Sequence, residues 1–206
     1  ATGGVQTFRN LDDFCAAMTN AVMTGIGINN SAVASNDAVI GGNSTDRALM
    51  TFLIEQKRAG SLNKENVCAF NPFDSSKKYS SVTVLEDGKQ VTYIKGAPEK
   101  IIERCTRYLD ENGTVQSLSD KGKLTAYMDT QASRSMRLLA VAKADGATDE
   151  GDLTLVCVFS IRDNVRKEAI DAIREVRNAG IQVVMVTGDR KETAVAIAKE
   201  AGLLVG

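Results

Sequence analysis

The chain has 206 residues, 43% of them apolar, and its 25 Lys and Arg nearly balance 26 Asp and Glu for a net charge of −1. That length and apolar fraction suit one sizeable globular domain with room for part of another, and near neutrality argues against nucleic acid or an anionic membrane as a direct partner. No apolar run is long enough to span a bilayer and no stretch reads as a signal peptide, while four scattered cysteines with no His and no CxxC argue against a zinc site and predict reduced, buried thiols in a cytosolic setting.

In chain order, Leu11, Phe14, Cys15, Met18 and Val22 fall on one stripe and predict a helix over 10–23. Residues 29–43, rich in Asn, Ser, Ala and Gly, read as a loop carrying a short strand. Ala48, Leu49, Phe52 and Leu53 face inward from a second helix over 45–57. Strands follow near 64–71, 78–85 and 89–95, with Asp87-Gly88 closing the last pair. Ile101, Ile102 and Cys105 mark one face of a helix over 99–108, and a turn at 110–113 leads into another helical stretch at 118–133. Residues 137–143 and 152–160 are strands flanking a turn at 145–151. Together these predict an α+β domain over residues 1–161, an antiparallel sheet with helices on its faces.

From residue 162 the pattern changes to helix, parallel-type strand, helix. Val165, Ile170, Ile173 and Val176 line one helix, and Gly180 ends it. Residues 181–186 are apolar apart from Gln182, as a buried parallel strand is. Thr187, Gly188 and Asp189 fall at its carboxyl end, where ligands bind in open α/β sheets. Asp189 can cap a helix over 191–201 that Gly202 ends. Taken alone, an ordinary strand-to-helix turn accounts for this run equally well.

Chemistry concentrates in a few side chains. Lys95 stands where a strand gives way to a turn, Gly96 removes a Cβ from the path of a ligand, and Pro98 fixes φ for the helix that follows. Phe73, Leu139 and Asn43 offer an aromatic face, an apolar wall and a polar group, which a flat ligand ring needs. Lys78, Lys95 and Arg137 offer cationic charge from three separate strands, which a polyanionic ligand needs. No Walker-type glycine loop occurs, and Gly25 and Gly27 lack the third glycine of a dinucleotide fingerprint. One at a time these residues have bland alternatives: Phe73 as core, Lys77 and Lys78 as edge charges that discourage aggregation, Lys95 as a turn residue, Arg137 as a surface cation.

The run Lys95-Gly96-Ala97-Pro98-Glu99, followed about ninety residues later by Thr187-Gly188-Asp189, resembles the P-type ATPases, cation pumps that form an aspartyl phosphate. The segment Phe73 to Ser81 resembles their adenine-site strand, whose Phe stacks on the base and whose second basic residue, here Lys78, reaches the nucleotide. Gly42 to Leu49 is similar to the family's G-[ND]-P-T-E-x-A-L helix start, with Ser44 in place of Pro and Asp46 in place of Glu. Residues 135–142 resemble the Arg-x-Leu-Ala strand, which makes Arg137 the candidate phosphate contact and Leu139 a packing residue near the base. Asp163 and Arg166 match an Asp-Pro-x-Arg hinge, with Asn164 where Pro is usual, a change that loosens the backbone. The resemblance implies a nucleotide-binding domain over 1–161 and a partial haloacid-dehalogenase-like phosphorylation domain over 162–206.

It also implies ATP with Mg²⁺, the remaining phosphorylation, actuator and transmembrane domains as partners, and the cytoplasmic face of a membrane as location. Covalent phosphoryl transfer needs a carboxylate nucleophile. The family's Asp-Lys-Thr-Gly-Thr and Gly-Asp-Gly-Val-Asn-Asp runs do not occur here. A chain that binds nucleotide without turning it over is the expectation, with no metal site of its own and with its open strand prone to self-association. A calcium or general cation pump is preferred over the heavy-metal group, which uses a His-Pro pair. The alternatives are a haloacid-dehalogenase-type phosphatase and a non-catalytic nucleotide-binding module.

Overall fold

Asp87 (φ 49°) and Gly88 (φ 76°) both take left-handed backbone, the geometry of a two-residue hairpin turn whose twist matches its strands. Strands Tyr79–Glu86 and Lys89–Gly96 close on it in antiparallel register, Tyr79 opposite Gly96 and Glu86 opposite Lys89. The computed structural model describes residues 5–35, 38–134, 136–162, 165, 167–187 and 191–204. In chain order the elements are α1 (Ala16–Met23), which runs into a π-helical turn (Thr24–Ile28), β1 (Ala32–Ser35), β2 (Ala38–Gly41), α2 (Ser44–Glu55), β3 (Val67–Asp74), β4 (Tyr79–Glu86) and β5 (Lys89–Gly96). They continue with α3 (Pro98–Ile102), β6 (Cys105–Leu109), β7 (Val115–Ser117), α4 (Gly122–Ala132), β8 (Met136–Asp145), β9 (Leu153–Arg162), α5 (Lys167–Asn178) and α6 (Lys191–Glu200).

A seven-stranded sheet runs β3-β4-β5-β8-β9-β6-β7, and β1 and β2 form a separate hairpin. The sheet is mixed rather than antiparallel throughout, because β6 lies parallel to β9 with Cys105 opposite Leu153 and Tyr108 opposite Leu155. The helix expected over 99–108 accordingly stops at Ile102. Its last residues pair with β9 and β7 instead, so tertiary pairing overrides a local helical stripe.

The chain divides into two compact units, one of Ala1–Lys121 with Leu139–Phe159, the other of Gly122–Leu138 with Ser160–Gly206. In the first unit, strand alternation places Val82, Val84, Val91, Tyr93, Lys95 and Val141 on one sheet face, and Ser81, Thr83, Thr92, Ile94 and Ala142 on the other. The π-helical turn packs on the first face. A Cβ on Gly25 would collide with Val141, and one on Gly27 with Leu53 and Leu62, so these two glycines serve close packing. Asn29 and Asn30 fix the turn further: Asn29 Nδ2 donates to the Ser80 and Tyr93 carbonyls (3.2 and 3.4 Å), and Asn30 Nδ2 to those of Ile26 and Asp46 (2.7 and 3.1 Å).

In the second unit α5 ends at Asn178, Gly180 (φ 76°) turns the chain away, and the Ile181 N–H returns to the Val176 carbonyl at 3.1 Å. Ala198 and Ala201 are buried, and Arg162 pairs with Glu200 at 3.8 Å. The strand expected over 181–186 is not one. No ladder pairs these residues among the described ones, and Ile181, Val184 and Val186 are exposed, Val186 by 93%. A β-branched run becomes a strand only against a neighbour.

The thiols also depart from expectation. Cys105 is buried, and its thiol donates to the Ile101 carbonyl at 3.2 Å, but Cys15 and Cys157 are half-buried and Cys68 is exposed on the edge strand β3. Among the described residues no helix is long and apolar enough to cross a membrane.

Candidate nucleotide site

Lys95 occupies the penultimate position of β5, and strand alternation turns its side chain onto the helix-covered face. There Nζ meets Asp46 Oδ1 at 2.5 Å, with Lys95 only 4% and Asp46 only 6% exposed. The position of Asp46 follows from how α2 begins. Asn43 caps the helix, its Oδ1 accepting the Asp46 N–H at 2.9 Å, and Gly42, at φ 64°, lies where a Cβ would press on Ala32. Asn30 then holds the Asp46 carbonyl. Burial pushes the Lys95 amine below its ordinary pKa, and the Asp46 carboxylate pulls it back up. Lys95 is therefore committed to a buried ion pair and is not a free cation waiting for phosphate.

The other predicted residues stand at different places. Phe73 lies on the edge strand β3 between Asn71 and Asp74, where the pairing with β4 shifts register, and it is 52% exposed. Leu139, two residues before Val141 on β8, falls on the face of Lys95 and is half-buried. Lys78 lies exposed in the β3–β4 turn at φ 66°; its N–H donates to the Asp74 carbonyl (2.7 Å) and its own carbonyl accepts the Ala97 N–H (2.9 Å).

Gly96 has a reason inside the chain rather than toward a ligand, since a Cβ there would collide with the Lys78 carbonyl and the Tyr79 backbone. Asn43 is exposed, but its side-chain oxygen is spent on the cap. Arg137 belongs to the second unit and is half-buried near the start of β8. Thr187 is exposed beyond any strand, and Asp163, Gly188 and Asp189 lie outside the described residues.

A cleft of ≈ 300 Å³ opens beside Phe73, lined by residues 71–74, Lys77, Tyr79 and Ser81. Register puts Asn71, Asp74, Tyr79 and Ser81 on the face opposite Lys95, so this cleft is not where Lys95 and Asp46 meet. Sequence reasoning missed the two asparagines. Asn29 is fully buried, and its Oδ1 finds no donor among the described residues. Adjacent Asn residues after a Gly-x-Gly were the available signal, because buried amides can bridge backbone carbonyls that no strand partner satisfies.

The family model described as P-type ATPase, cytoplasmic domain N, matches residues 15–168. The chain is 37% identical over 194 residues to a calcium-transporting ATPase of Bacillus subtilis, covering 85% of this chain and 21% of that protein. It is 36% identical over 181 residues to a plasma membrane-type calcium-transporting ATPase 1 of Oryza sativa, covering 79% and 17%. It is 30% identical over 206 residues to the cation-transporting ATPase pma1 of Synechocystis, covering 94% and 22%. The chain thus spans about a fifth of the length of these relatives. With the matched model reaching across the sheet, the Lys95–Asp46 pair and the Phe73 strand, this chain belongs to the P-type ATPases and carries their cytoplasmic domain N.

Proposed function

We propose that the first unit binds ATP on the Lys95 face of its sheet and, within a complete pump, presents the γ-phosphate to an Asp that this sequence does not contain. The observation that supports this reading is the buried Lys95–Asp46 pair with Leu139 on its face of the sheet, together with the exposed Phe73 ring on the edge strand β3. Phe73 offers an exposed ring for the base and Leu139 an apolar wall. The pair stands at the base end as a polar group held in place, with Asn43 setting the start of α2. Lys78 supplies cationic charge for the phosphates, and Gly96 keeps the Lys78 backbone close to β5.

Mg²⁺ would accompany the bound nucleotide and offset phosphate charge, and no side chain of this chain is assigned to hold it. Thr187, Gly188 and Asp189 belong to a haloacid-dehalogenase-like phosphorylation domain, and Asp163 to the hinge at the 161–162 boundary. The transported ion is a cation, with calcium favoured by the names of the relatives, and the domain faces the cytoplasm. Without the nucleophilic Asp the chain binds ATP but does not hydrolyse it.

Calorimetric titration of the chain with ATP and GTP tests the reading. We expect saturable ATP binding of about 0.1 to 1 mM, or roughly 4 to 5.5 kcal/mol. Phe73→Ala is the informative substitution, because its ring is half exposed and its loss spares the fold. Loss of one stacking contact is worth about 1–3 kcal/mol, so affinity falls by a factor of about 5 to 150. ATP binding by the wild type that is indifferent to Phe73→Ala would refute the proposed face.

A further inference from the structure

The proposed Lys78 contact depends on a turn that another loop holds. Asp149, at the tip of the β8–β9 turn, accepts the Tyr79 hydroxyl at 3.0 Å on Oδ2 and faces Lys77 Nζ at 3.5 Å. The Asp149 carbonyl accepts the Arg104 guanidinium, whose carbon lies 6.0 Å from the centre of the Tyr79 ring. The base of the same turn is anchored on β5: the Gly146 N–H donates to the Gln90 carbonyl at 2.8 Å, and its carbonyl accepts the Thr92 hydroxyl at 2.8 Å. Asp149 is thus carried on a braced support.

What it grips is the residue next to Lys78. Tyr79 opens β4, pairs with Gly96, and follows a lysine whose backbone is already held left-handed between Asp74 and Ala97. Side-chain direction at Lys78 follows from that backbone, so a shift of Tyr79 moves the Lys78 ammonium. By register the Tyr79 side chain and its Asp149 partner lie on the face opposite Lys95. We propose that Asp149, acting through Tyr79 and Lys77, is a positioning residue that sets the β3–β4 turn for the triphosphate from the far side of the sheet. This rests on the ATP-binding reading above.

The test is titration of the chain and its Asp149→Ala, Asp149→Asn and Tyr79→Phe variants with ATP and with adenosine. Residues that act through others shift binding by modest factors, so Asp149→Ala and Tyr79→Phe weaken ATP about fivefold. Adenosine, which has no phosphates for Lys78, changes by less than about twofold. Asp149→Asn keeps an acceptor for Tyr79 but loses the charge toward Lys77, and falls between. A purely structural role would lower stability and weaken both ligands together, leaving the ATP-to-adenosine ratio at its wild-type value, and that result would overturn the proposal. If Asp149→Ala does not fold, the same ratio read from Asp149→Asn and Tyr79→Phe decides. Wild-type chain that binds neither ligand would overturn the ATP reading itself and this inference with it.

Discussion

Lys95 and Asp46 form a pair whose two halves depend on each other. Breaking a buried ion pair by removing one partner leaves an uncompensated charge and costs about 3–5 kcal/mol. We expect Lys95→Met to lower stability to urea by about that much and the Lys95→Met/Asp46→Leu double variant to recover most of it, because two apolar groups leave nothing unpaired. A single variant within about 1 kcal/mol of wild type would show that water reaches the pair. Asp74 makes a different prediction. Its carboxylate is held below the ordinary range by the Ser76 hydroxyl, the Lys77 N–H and the Ser76 N–H. A carboxylate whose folded pKa is depressed stabilises the fold above its unfolded pKa and loses that contribution as pH falls through the folded one. The stability difference between wild type and Asp74→Asn therefore shrinks as pH is lowered from about 7 to about 3, and a difference independent of pH would contradict the assignment. At this scale the sequence offered candidates more readily than contacts. Lys95, Phe73 and Leu139 were legible as candidates, but the pairing of Lys95 with Asp46 depends on a contact across 49 positions that no local pattern encodes.

Among elements, the central hairpin was legible because Asp-Gly chemistry and alternation agree at β4 and β5. The two misread segments each present a local pattern that lacks, or answers to, a distant partner. Cys105 to Leu109 carries a helical stripe with Ile101 and Ile102, yet pairs with β9 and β7. Residues 181–187 carry a strand's composition with no ladder among the described residues. Backbone amides without such bonds exchange from states near zero opening free energy, whereas core strands exchange only on larger unfolding. Amides 182–186 should therefore exchange orders of magnitude faster than those of Val82 to Ile94. Protection of 182–186 equal to that of the central hairpin would mean that a strand partner is present in solution.

For the whole molecule, the decisive question is where nucleotide stabilises it. A ligand that binds only the folded state adds RT ln(1 + [L]/Kd), about 1.4 kcal/mol at tenfold excess over Kd. Asp46, Phe73, Lys78, Lys95 and Leu139 all lie in the first unit, so that increment belongs to its cooperative opening. Hydrogen exchange with and without ATP reads it segment by segment: slowing by about tenfold in β4 and β5, with little change in α5 and α6, is the expected pattern. Equal slowing in all four elements would mean that the two units open as one, and the division at residues 121, 139 and 159 would have no energetic meaning. Unchanged exchange everywhere at saturating ATP would remove the nucleotide from the Lys95 face. The composition of the chain foretold neither outcome, because a near-neutral, modestly apolar sequence is compatible with both one cooperative core and two.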